Sequence, residues 1–308
     1  MRYRTLGRTN LTVSVIGVGT YQFGGEWGKR FDQRGVEEIL ATAEDCGINL
    51  IDTAECYGDH LAEELIGSAV RRKRSRWIIA TKFGHRFHGF RERTRHWRPE
   101  EVRSQLDESL RALGTDYVDL YQFHSPVQDE FLTEGLWELL AREQQAGRIR
   151  HIGISVASSA CAASDSTQLE RAPEIPLEAA QVVYNRLERQ VETGILPACL
   201  RLGLGVLARV PLASGLLSGK YSRGYSFPPD DVRAHQPGEA TEAALAEVRS
   251  LEVEELPPGV PMAAWALAWC LRHPAVTAVI PGCKTREQVL ANAAAAELVE
   301  AGHPQEAT

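Results

Sequence analysis

From Val15 onward, short runs of β-preferring residues alternate regularly with segments typical of helices or long loops. Eight runs are predicted to be strands, over residues 15–20, 48–52, 77–81, 117–122, 149–154, 179–184, 204–208 and 276–280. Strict alternation of strand and helix is typical of a parallel sheet. Eight such units close naturally into a barrel whose functional site lies at the carboxyl ends of the strands. The sequence therefore predicts an α/β fold, a (β/α)8 TIM barrel.

The segments around the strands fit this fold. Helices are predicted over residues 32–46, 60–72, 99–113, 133–146, 191–202, 240–255 and 262–273, with a weaker helical segment ending near 171 and a last helix from about 285. Residues 2–15 precede the first strand and predict a β-hairpin around the turn Gly7–Asn10. The segment 222–239 is rich in Pro, Gly and Asp, and we interpret it as a loop insertion. We therefore expect a single domain over residues 1–308.

A doubly wound sheet is the alternative architecture for alternating strands and helices. That fold usually carries a glycine-rich phosphate turn, G-x-G-x-x-G, after an early strand. Gly17-Val-Gly19 lacks the third glycine at this spacing, and the full motif occurs nowhere in the sequence. The sequence therefore favours the barrel.

Charge and cysteine usage exclude several classes of protein. The formal net charge of -7 argues against general nucleic-acid binding. None of the six cysteines forms a Cys-x-x-Cys pair, so we expect reduced thiols and a cytoplasmic protein. No uninterrupted apolar run reaches about 18 residues, so we expect no membrane span. The oligomeric state is left open.

Polar side chains follow three consecutive predicted strands. The second strand ends at Asp52, and Tyr57 comes five positions later in the segment Ile51-Asp-Thr-Ala-Glu-Cys-Tyr-Gly58. The third strand leads into Lys82, and the fourth leads into His124. Each residue alone has an ordinary explanation, such as a loop cap or a packing residue. Because the carboxyl ends of barrel strands face one mouth, an acid, a phenol, an amine and an imidazole are predicted to converge there.

In this order, these strand ends resemble the aldo-keto reductase family, and the resemblance covers nearly the whole chain. It rests on the Ile51–Gly58 segment, the Thr81-Lys82 strand end and the Gln122–His124 strand end. The resemblance implies an oxidoreductase that transfers a hydride from NADPH to the carbonyl of an aldehyde or ketone. It further implies catalytic roles for Asp52, Tyr57, Lys82 and His124.

The chemistry of carbonyl reduction explains why these residue types suit the task. A proton donor must act as negative charge builds on the carbonyl oxygen, and the resemblance gives this role to Tyr57. A free tyrosine has a pKa near 10, and a neighbouring ammonium lowers it, which is the role expected for Lys82. Asp52 is expected to hold Lys82 charged and aimed. His124 is expected to orient the carbonyl oxygen.

Later strand ends are expected to hold the cofactor. The resemblance implies contacts from Gly19, Thr20, Ser155, Gln181, Arg209, Pro211, Leu212, Ser214, Leu216, Lys220, Gly282, Lys284, Gln288 and Asn292. Two positions depart from the family pattern. Val156 replaces the Asn that follows Ser155, and Arg209 stands where an aromatic residue often stacks on the nicotinamide. Lys284 is placed for a 2′-phosphate and favours NADP over NAD.

Two loops are expected to shape the substrate pocket. Tyr21, Phe23 and Trp27, in the loop after the first strand, are expected to be pocket walls rather than core residues. Residues 85–98 form a loop rich in arginine and histidine. Its positive charge suggests an acidic or phosphorylated substrate, with a simple lid as an equal alternative. We expect no metal site at His85, His88 and His96, because the arginines around them would repel a cation.

Two other functions remain open. The same residues would run in reverse in a dehydrogenase that oxidises a sugar or an alcohol with NAD(P)+, with Tyr57 as the base. A nucleotide-binding regulatory subunit without turnover is the other alternative, although the intact set of four residues argues against it.

Overall fold

A computed structural model describes residues 1–157 and 164–307 of the chain. The chain starts with an antiparallel hairpin, β1 (Tyr3–Thr5) and β2 (Thr12–Ser14), as predicted. Leu6 and Val13 are fully buried, and they share one apolar cluster with inward-facing residues of the barrel strands. The backbone N–H of Arg8 donates to Gly203, just before a barrel strand begins. The hairpin therefore covers the amino-terminal end of the barrel.

Eight strands form one parallel sheet. They are β3 (Val18–Gly19), β4 (Leu50–Asp52), β5 (Ile78–Phe83), β8 (Val118–His124), β9 (Ile149–Ser155), β10 (Leu177–Val183), β11 (Gly205–Arg209) and β12 (Ala278–Val279). The first and last strands also meet, through parallel bridges that pair Ile16 with Val279 and Gly19 with Gly282. A Cβ on Gly19 would lie 2.5 Å from the carbonyl oxygen of Ile280, so this closure requires glycine. The predicted (β/α)8 barrel is confirmed.

The helices pack around the barrel. In the described part of the chain they are α1 (Gln33–Asp45), α2 (Leu61–Val70), α3 (Pro99–Leu113), α4 (Gln128–Phe131), α5 (Leu136–Gln145), α6 (Ile195–Leu202), α7 (Gly238–Glu254), α8 (Met262–Leu271) and α9 (Arg286–Ala294). The side chain of Asp32 caps α1, and Pro99 begins α3 with its ring in the first turn. No helix among the described residues is long and apolar enough to cross a membrane.

The structure differs from the sequence prediction in two places. Residues 85–98, predicted as a loop, contain a second antiparallel hairpin, β6 (His85–Gly89) and β7 (Glu92–Arg95). Its many charged residues hide the strand pattern in the sequence. The weak helix predicted up to residue 171 is only a short 3-10 turn, Leu169–Arg171, after residue 164. The rest of that predicted helix, at 158–163, lies outside the described residues.

The barrel interior is built in layers that place the polar site. Leu50, Ala80, Leu120, Ala179, Leu207 and Ala278 belong to one buried apolar cluster. Strand side chains alternate between two faces, so residues two positions further along each strand face the interior as well. Those positions carry Asp52, Lys82, Gln122, Gln181 and Arg209. A polar layer therefore lies directly above the apolar layer, at the carboxyl ends of the strands.

Candidate active site

Asp52, Lys82 and Tyr57 form a hydrogen-bonded line in the polar layer. The ammonium of Lys82 donates to Asp52 Oδ1 at 2.7 Å and to the carbonyl oxygen of Thr53 at 2.7 Å. It also lies 3.3 Å from the phenol oxygen of Tyr57. The Lys82 side chain is 0% exposed and that of Asp52 only 4% exposed. The line therefore connects a buried ion pair to the phenol at the barrel mouth.

Two glutamines hold the other oxygen of Asp52. Gln181 Nε2 donates to Asp52 Oδ2 at 2.6 Å, and Gln122 Nε2 donates to it at 3.2 Å. Gln181 was predicted as a cofactor contact, whereas Gln122 was not predicted at all. The signal for Gln122 was present, because it lies two residues before His124 on the same strand face. Asp52 thus accepts from three donors and donates to none.

His124 lies at the end of β8, next to Tyr57. The two ring centroids are 6.2 Å apart with the rings nearly perpendicular. His124 Nδ1 lies 3.7 Å from Sγ of Cys56, a residue for which no role was predicted. Burial, His85 and Lys82 hold the pKa of His124 well below its usual range. The imidazole is therefore neutral at pH 7. When the thiol donates to Nδ1, the proton of the ring lies on Nε2 and is free for a ligand.

The phenol of Tyr57 is a weaker acid than the sequence suggested. Burial, followed by the negative charge of Asp52, raises the pKa of Tyr57 well above its ordinary value. Arg209 acts in the opposite direction without reversing the shift. The expectation that the pKa of Tyr57 is lowered was therefore wrong. It considered the ammonium of Lys82 but neither the burial of the phenol nor the negative charge of Asp52. Tyr57 remains protonated at neutral pH.

Aromatic side chains from the loop after β3 cover Tyr57 on one side. Phe23 of the same loop, expected to be a pocket wall, is instead fully buried in the apolar core. Tyr21 stacks on Tyr57 with ring centroids 4.8 Å apart, and Trp27 packs edge-on against Tyr21 at 5.5 Å. Gly24 brings this loop against the Tyr57 backbone, because a Cβ there would lie 2.6 Å from the carbonyl carbon of Tyr57. The loop is thus fixed to the residue that it covers.

Two of the four arginines of the β6–β7 hairpin are paired with carboxylates. Arg93 forms a salt bridge with buried Glu26, and Arg95 forms one with Glu130. The positive charge expected at the mouth is therefore largely compensated at these two positions. The partners of these two pairs are 67 and 35 residues apart in the sequence, so a local sequence pattern could not predict either salt bridge.

Comparisons with known proteins identify the family. The sequence profile described as the Aldo/keto reductase family matches residues 15–302. The chain belongs to the aldo-keto reductase family. It is 36% identical over 241 residues to the aldo-keto reductase YhdN of Bacillus subtilis, covering 77% of this chain and 70% of YhdN. It is 30% identical over 318 residues to an NADH-specific methylglyoxal reductase of Escherichia coli, covering 96% of this chain and 93% of that protein.

A solved structure supports the same assignment. The holo form of the aldo-keto reductase AKR11C1 from Bacillus halodurans matches with a TM-score of 0.80 and 30% identity, covering 96% of this chain and 91% of that one. The chain is therefore an oxidoreductase of a family that acts with nicotinamide cofactors on small carbonyl compounds.

In this aldo-keto reductase, the residues expected at the nicotinamide lie around the polar layer. The Ser155 hydroxyl is buried and has no hydrogen-bond partner among residues 1–157 and 164–307, and Thr20 Oγ1 donates to the backbone oxygen of Asp52 at 2.9 Å. Arg209 Nη2 donates to the carbonyl oxygen of Val156 at 3.2 Å, whereas its Nε has no partner. Burial lowers the pKa of Arg209. The Ser155 hydroxyl and Arg209 Nε therefore remain available to bind a ligand at the polar layer.

The turn after β11 has an unusual backbone. Val210, Ala213 and Ser214 all have positive φ, at 56°, 46° and 55°. Such values are uncommon outside glycine and mark outliers for a β-branched residue such as Val210. The turn contains the expected pyrophosphate contacts Pro211, Leu212, Ser214 and Leu216. Exposed Lys220 follows it. Burial lowers the pKa of Lys284, and the positive charge of Arg233 and, to a smaller extent, that of Lys220 act in the same direction.

Lys284 and Gln288, two of the residues expected at the adenosine, are engaged in contacts within the protein. The Lys284 ammonium donates to the carbonyl oxygen of Trp27 and lies 3.9 Å from Asp231. Gln288 Oε1 accepts from the backbone N–H of Lys284 at 2.7 Å, and Asn292 is buried. A Cβ on Gly282 would lie 2.8 Å from Gln22 Oε1, so this glycine makes room for a side chain of the protein itself.

Proposed function

We propose that this protein reduces the carbonyl of an aldehyde or ketone with NADPH, that Tyr57 is the proton donor, and that residues 1–308 act as one barrel domain. The hydrogen-bonded line from Asp52 through Lys82 to Tyr57 carries the proposal. His124 stands beside the phenol and completes the set. The free thiols of the described cysteines support the expected reducing, cytoplasmic environment.

The residues present fit a nicotinamide cofactor. The buried Ser155 hydroxyl and Nε of Arg209 can both donate a hydrogen bond, but neither has a partner in the described part of the chain. Buried polar atoms are normally satisfied, so such orphans point to a ligand. Ser155, Gln181 and Arg209 would hold the carboxamide end. The residues of the 211–216 turn and the start of α9 would hold the phosphates and the adenosine. The bound cofactor supplies the hydride.

The side chains of the protein perform the proton chemistry. His124 donates from Nε2 to the carbonyl oxygen and orients it. Tyr57 transfers its proton as negative charge develops on that oxygen. Lys82, 3.3 Å from the phenol oxygen, stabilises the phenolate that remains. Asp52 keeps Lys82 charged, and the two glutamine amides keep Asp52 aimed at Lys82.

The protonation state of Tyr57 favours reduction over alcohol oxidation. Burial and Asp52 raise its pKa, so the resting enzyme carries a phenol that can give a proton. A dehydrogenase needs a phenolate to take one, and this environment disfavours the phenolate. The intact hydrogen-bonded line likewise supports turnover rather than a purely regulatory role.

The proton-donor role is tested with Tyr57→Phe. We expect single-turnover reduction of methylglyoxal to fall by about 100- to 10,000-fold, which is the usual contribution of a positioned acid. Cofactor affinity, measured by fluorescence quenching, should stay within twofold. Tyr225→Phe is the matched control because Tyr225 is 45% exposed and lies outside the site. Near-normal turnover in Tyr57→Phe would remove this residue from the mechanism.

The choice of NADPH rests on the cation at the start of α9. Lys284 is partly buried there, and a helix amino terminus favours an anion. Asp231, 3.9 Å away, compensates part of its charge, and one relative is named NADH-specific. The test is Lys284→Ala, with exposed Lys73→Ala as the control. We expect at least a tenfold rise in the NADPH dissociation constant and little change for NADH. Equal changes for both cofactors would contradict the role of Lys284.

The substrate pocket favours small carbonyl compounds without demanding an anion. Tyr21 and Trp27 form an aromatic wall beside Tyr57, and the nearby Arg93 and Arg95 are neutralised by their own carboxylates. A panel of neutral aldehydes, sugars and acidic carbonyls, run with both cofactors, decides this. A preference above tenfold for acidic carbonyls would show that the paired arginines still recognise substrate.

A further inference from the structure

Four side chains with metal-binding atoms, one of them His124, lie close together at the edge of the candidate active site. Glu55, Cys56, His85 and His124 each offer one ligand atom, and these four atoms lie within 4.8 Å of one another. Glu55 and Cys56 are buried, whereas His85 and His124 are partly exposed. The residues come from the loop after β4, the start of β6 and the end of β8. Three separate chain segments therefore meet at one point.

Two atoms of this cluster lack partners. Glu55 Oε2 and His85 Nδ1 are buried and form no hydrogen bond with any residue that the structure describes. The other oxygen of Glu55 accepts from the backbone N–H of His85 at 3.1 Å, which fixes the carboxyl next to the ring. Buried polar atoms are rarely left unsatisfied. Two orphans in one cluster, both of a type that binds metals, indicate a missing ligand.

We propose that Glu55, Cys56, His85 and His124 form a site for Zn²⁺ or a similar thiophilic divalent cation. The ion would bind Nδ1 of His124 and inhibit the reductase by drawing the ring towards Glu55 and His85, because a displacement of about 1 Å misplaces Nε2 for the substrate carbonyl. The inhibitory part rests on the proposed function, because it requires His124 to orient substrate. The Cys56 thiol proton leaves to solvent as the metal–sulfur bond forms. The ion is an inhibitor here and takes no part in the hydride transfer.

The donor set and its spacing suit tetrahedral zinc. Zinc sites are commonly built from cysteine, histidine and carboxylate ligands. With a Zn–S distance of about 2.3 Å and a Zn–N distance of about 2.0 Å, sulfur and nitrogen ligands lie about 3.5 Å apart. The observed distance between Cys56 Sγ and His124 Nδ1 is 3.7 Å. This edge of the tetrahedron is therefore nearly formed, and the wider pairs need only small side-chain rotations.

The cations around the cluster do not exclude a metal. Lys82 is paired with Asp52, Arg93 with Glu26 and Arg95 with Glu130, so each carries its own counter-charge. The sequence argument against a metal counted only the charges within the hairpin and missed these distant carboxylates. It also considered His88 and His96, which instead lie next to Thr94 and Glu101.

A cavity leads to the cluster from outside. Its volume is about 310 Å³, and Glu55 and His85 both line it. Asp59, Glu100, Glu101 and Glu108 line it as well. Four further carboxylates in one cavity attract cations and raise their local concentration. The cavity thus supplies an entrance to the cluster in which the carboxylates outnumber the single arginine, Arg86.

The binding test uses Co²⁺ and Zn²⁺ alone, on chelator-treated full-length protein. Co²⁺ should give about one equivalent of tetrahedral d–d absorption together with a thiolate-to-cobalt band, and Zn²⁺ should abolish both. Cys56→Ser should lose the thiolate band, and His85→Gln should weaken Zn²⁺ at least tenfold in competition with a chromophoric chelator. Cys46→Ser and His88→Gln are the matched controls and should bind as wild type. The absence of the thiolate band, or its survival in Cys56→Ser, would overturn the site.

The activity test is separate from the binding test. One equivalent of Zn²⁺ should reduce the turnover of wild type at least tenfold, and a chelator should restore it. His85→Gln, compared with its own rate without zinc, should need at least tenfold more Zn²⁺ for the same loss. Cobalt bound through Cys56 without loss of turnover would overturn the inhibitory part alone. If no carbonyl is reduced even without metal, the proposed function fails while the absorption bands still decide the site.

Discussion

The buried ion pair between Asp52 and Lys82 should be strongly coupled in stability. Lys82 is 0% exposed and donates to Asp52 at 2.7 Å, so removing either partner leaves the other charge uncompensated. Breaking a buried pair costs about 3–5 kcal/mol. Asp52→Asn is expected to be destabilising as well. The three side chains that contact the Asp52 carboxylate are all hydrogen-bond donors, and the amide of the asparagine would add a fourth donor.

The double variant Asp52→Asn/Lys82→Met removes both charges at once. It should be destabilised by about 2–3 kcal/mol less than the sum of the single variants. Urea denaturation followed by tryptophan fluorescence measures this, with the denaturant slope checked for each variant. Turnover should be lost in all three variants, since each lacks the charged Lys82 held by Asp52.

A surface pair provides the matched control for this cycle. Lys73 and Glu44 lie 2.6 Å apart, but the Lys73 side chain is 54% exposed. The same analysis with Lys73→Met and Glu44→Gln should give a coupling below about 1 kcal/mol. Additive effects at Asp52 and Lys82, no larger in coupling than at this surface pair, would refute the view that burial makes the two charges interdependent.

Three further predictions follow from the site. Because burial and Asp52 raise the pKa of Tyr57, kcat for reduction should stay flat up to about pH 10, the ordinary tyrosine pKa; an alkaline fall near neutrality in a pH–rate profile would contradict this. Gly24→Ala places a Cβ 2.6 Å from the Tyr57 backbone, so it should displace the aromatic loop, lower stability by about 1–3 kcal/mol and raise KM for carbonyl substrates; wild-type KM and melting temperature would show that the loop tolerates the methyl group. Ser155→Ala removes a hydroxyl that has no partner in the protein, so stability should change by less than about 0.5 kcal/mol, whereas cofactor affinity, measured by titration, should fall about 3- to 10-fold; unchanged affinity would show that Ser155 contacts no cofactor.

The sequence predicted those parts of the molecule that depend on order along the chain. Strand–helix alternation gave the barrel, and the strand ends gave Asp52, Lys82 and His124, because side-chain period and strand direction fix where such residues point. Gln122 was within reach of the same reasoning. It lies on the same strand face as His124, but no contact with Asp52 was predicted for it.

Other features depend on contacts between distant segments and were not predictable in this way. The β6–β7 hairpin was predicted to be a loop because its sequence is rich in charged residues. The charges of Arg93 and Arg95 are balanced by Glu26 and Glu130, which lie elsewhere in the chain. The pKa of Tyr57 depends on how deeply the phenol is buried, which no local pattern states. The meeting of Glu55, Cys56, His85 and His124 depends on the hairpin folding back over the loop after β4. Each case combines short sequence motifs through long-range packing.

The two departures from the family pattern are in contact with each other. Arg209 replaces an aromatic residue, and its guanidinium donates to the carbonyl oxygen of Val156, the residue that replaces asparagine. Val156 is 5% exposed and packs in the main apolar core, so its side chain leaves the mouth. The hydrogen-bonding capacity that the asparagine would give is thus absent at 156, while Arg209 Nε stands unpartnered a short distance away. An arginine offers five donors in one plane, and here Nη2 donates to the backbone of residue 156 while Nε has no partner among the described residues.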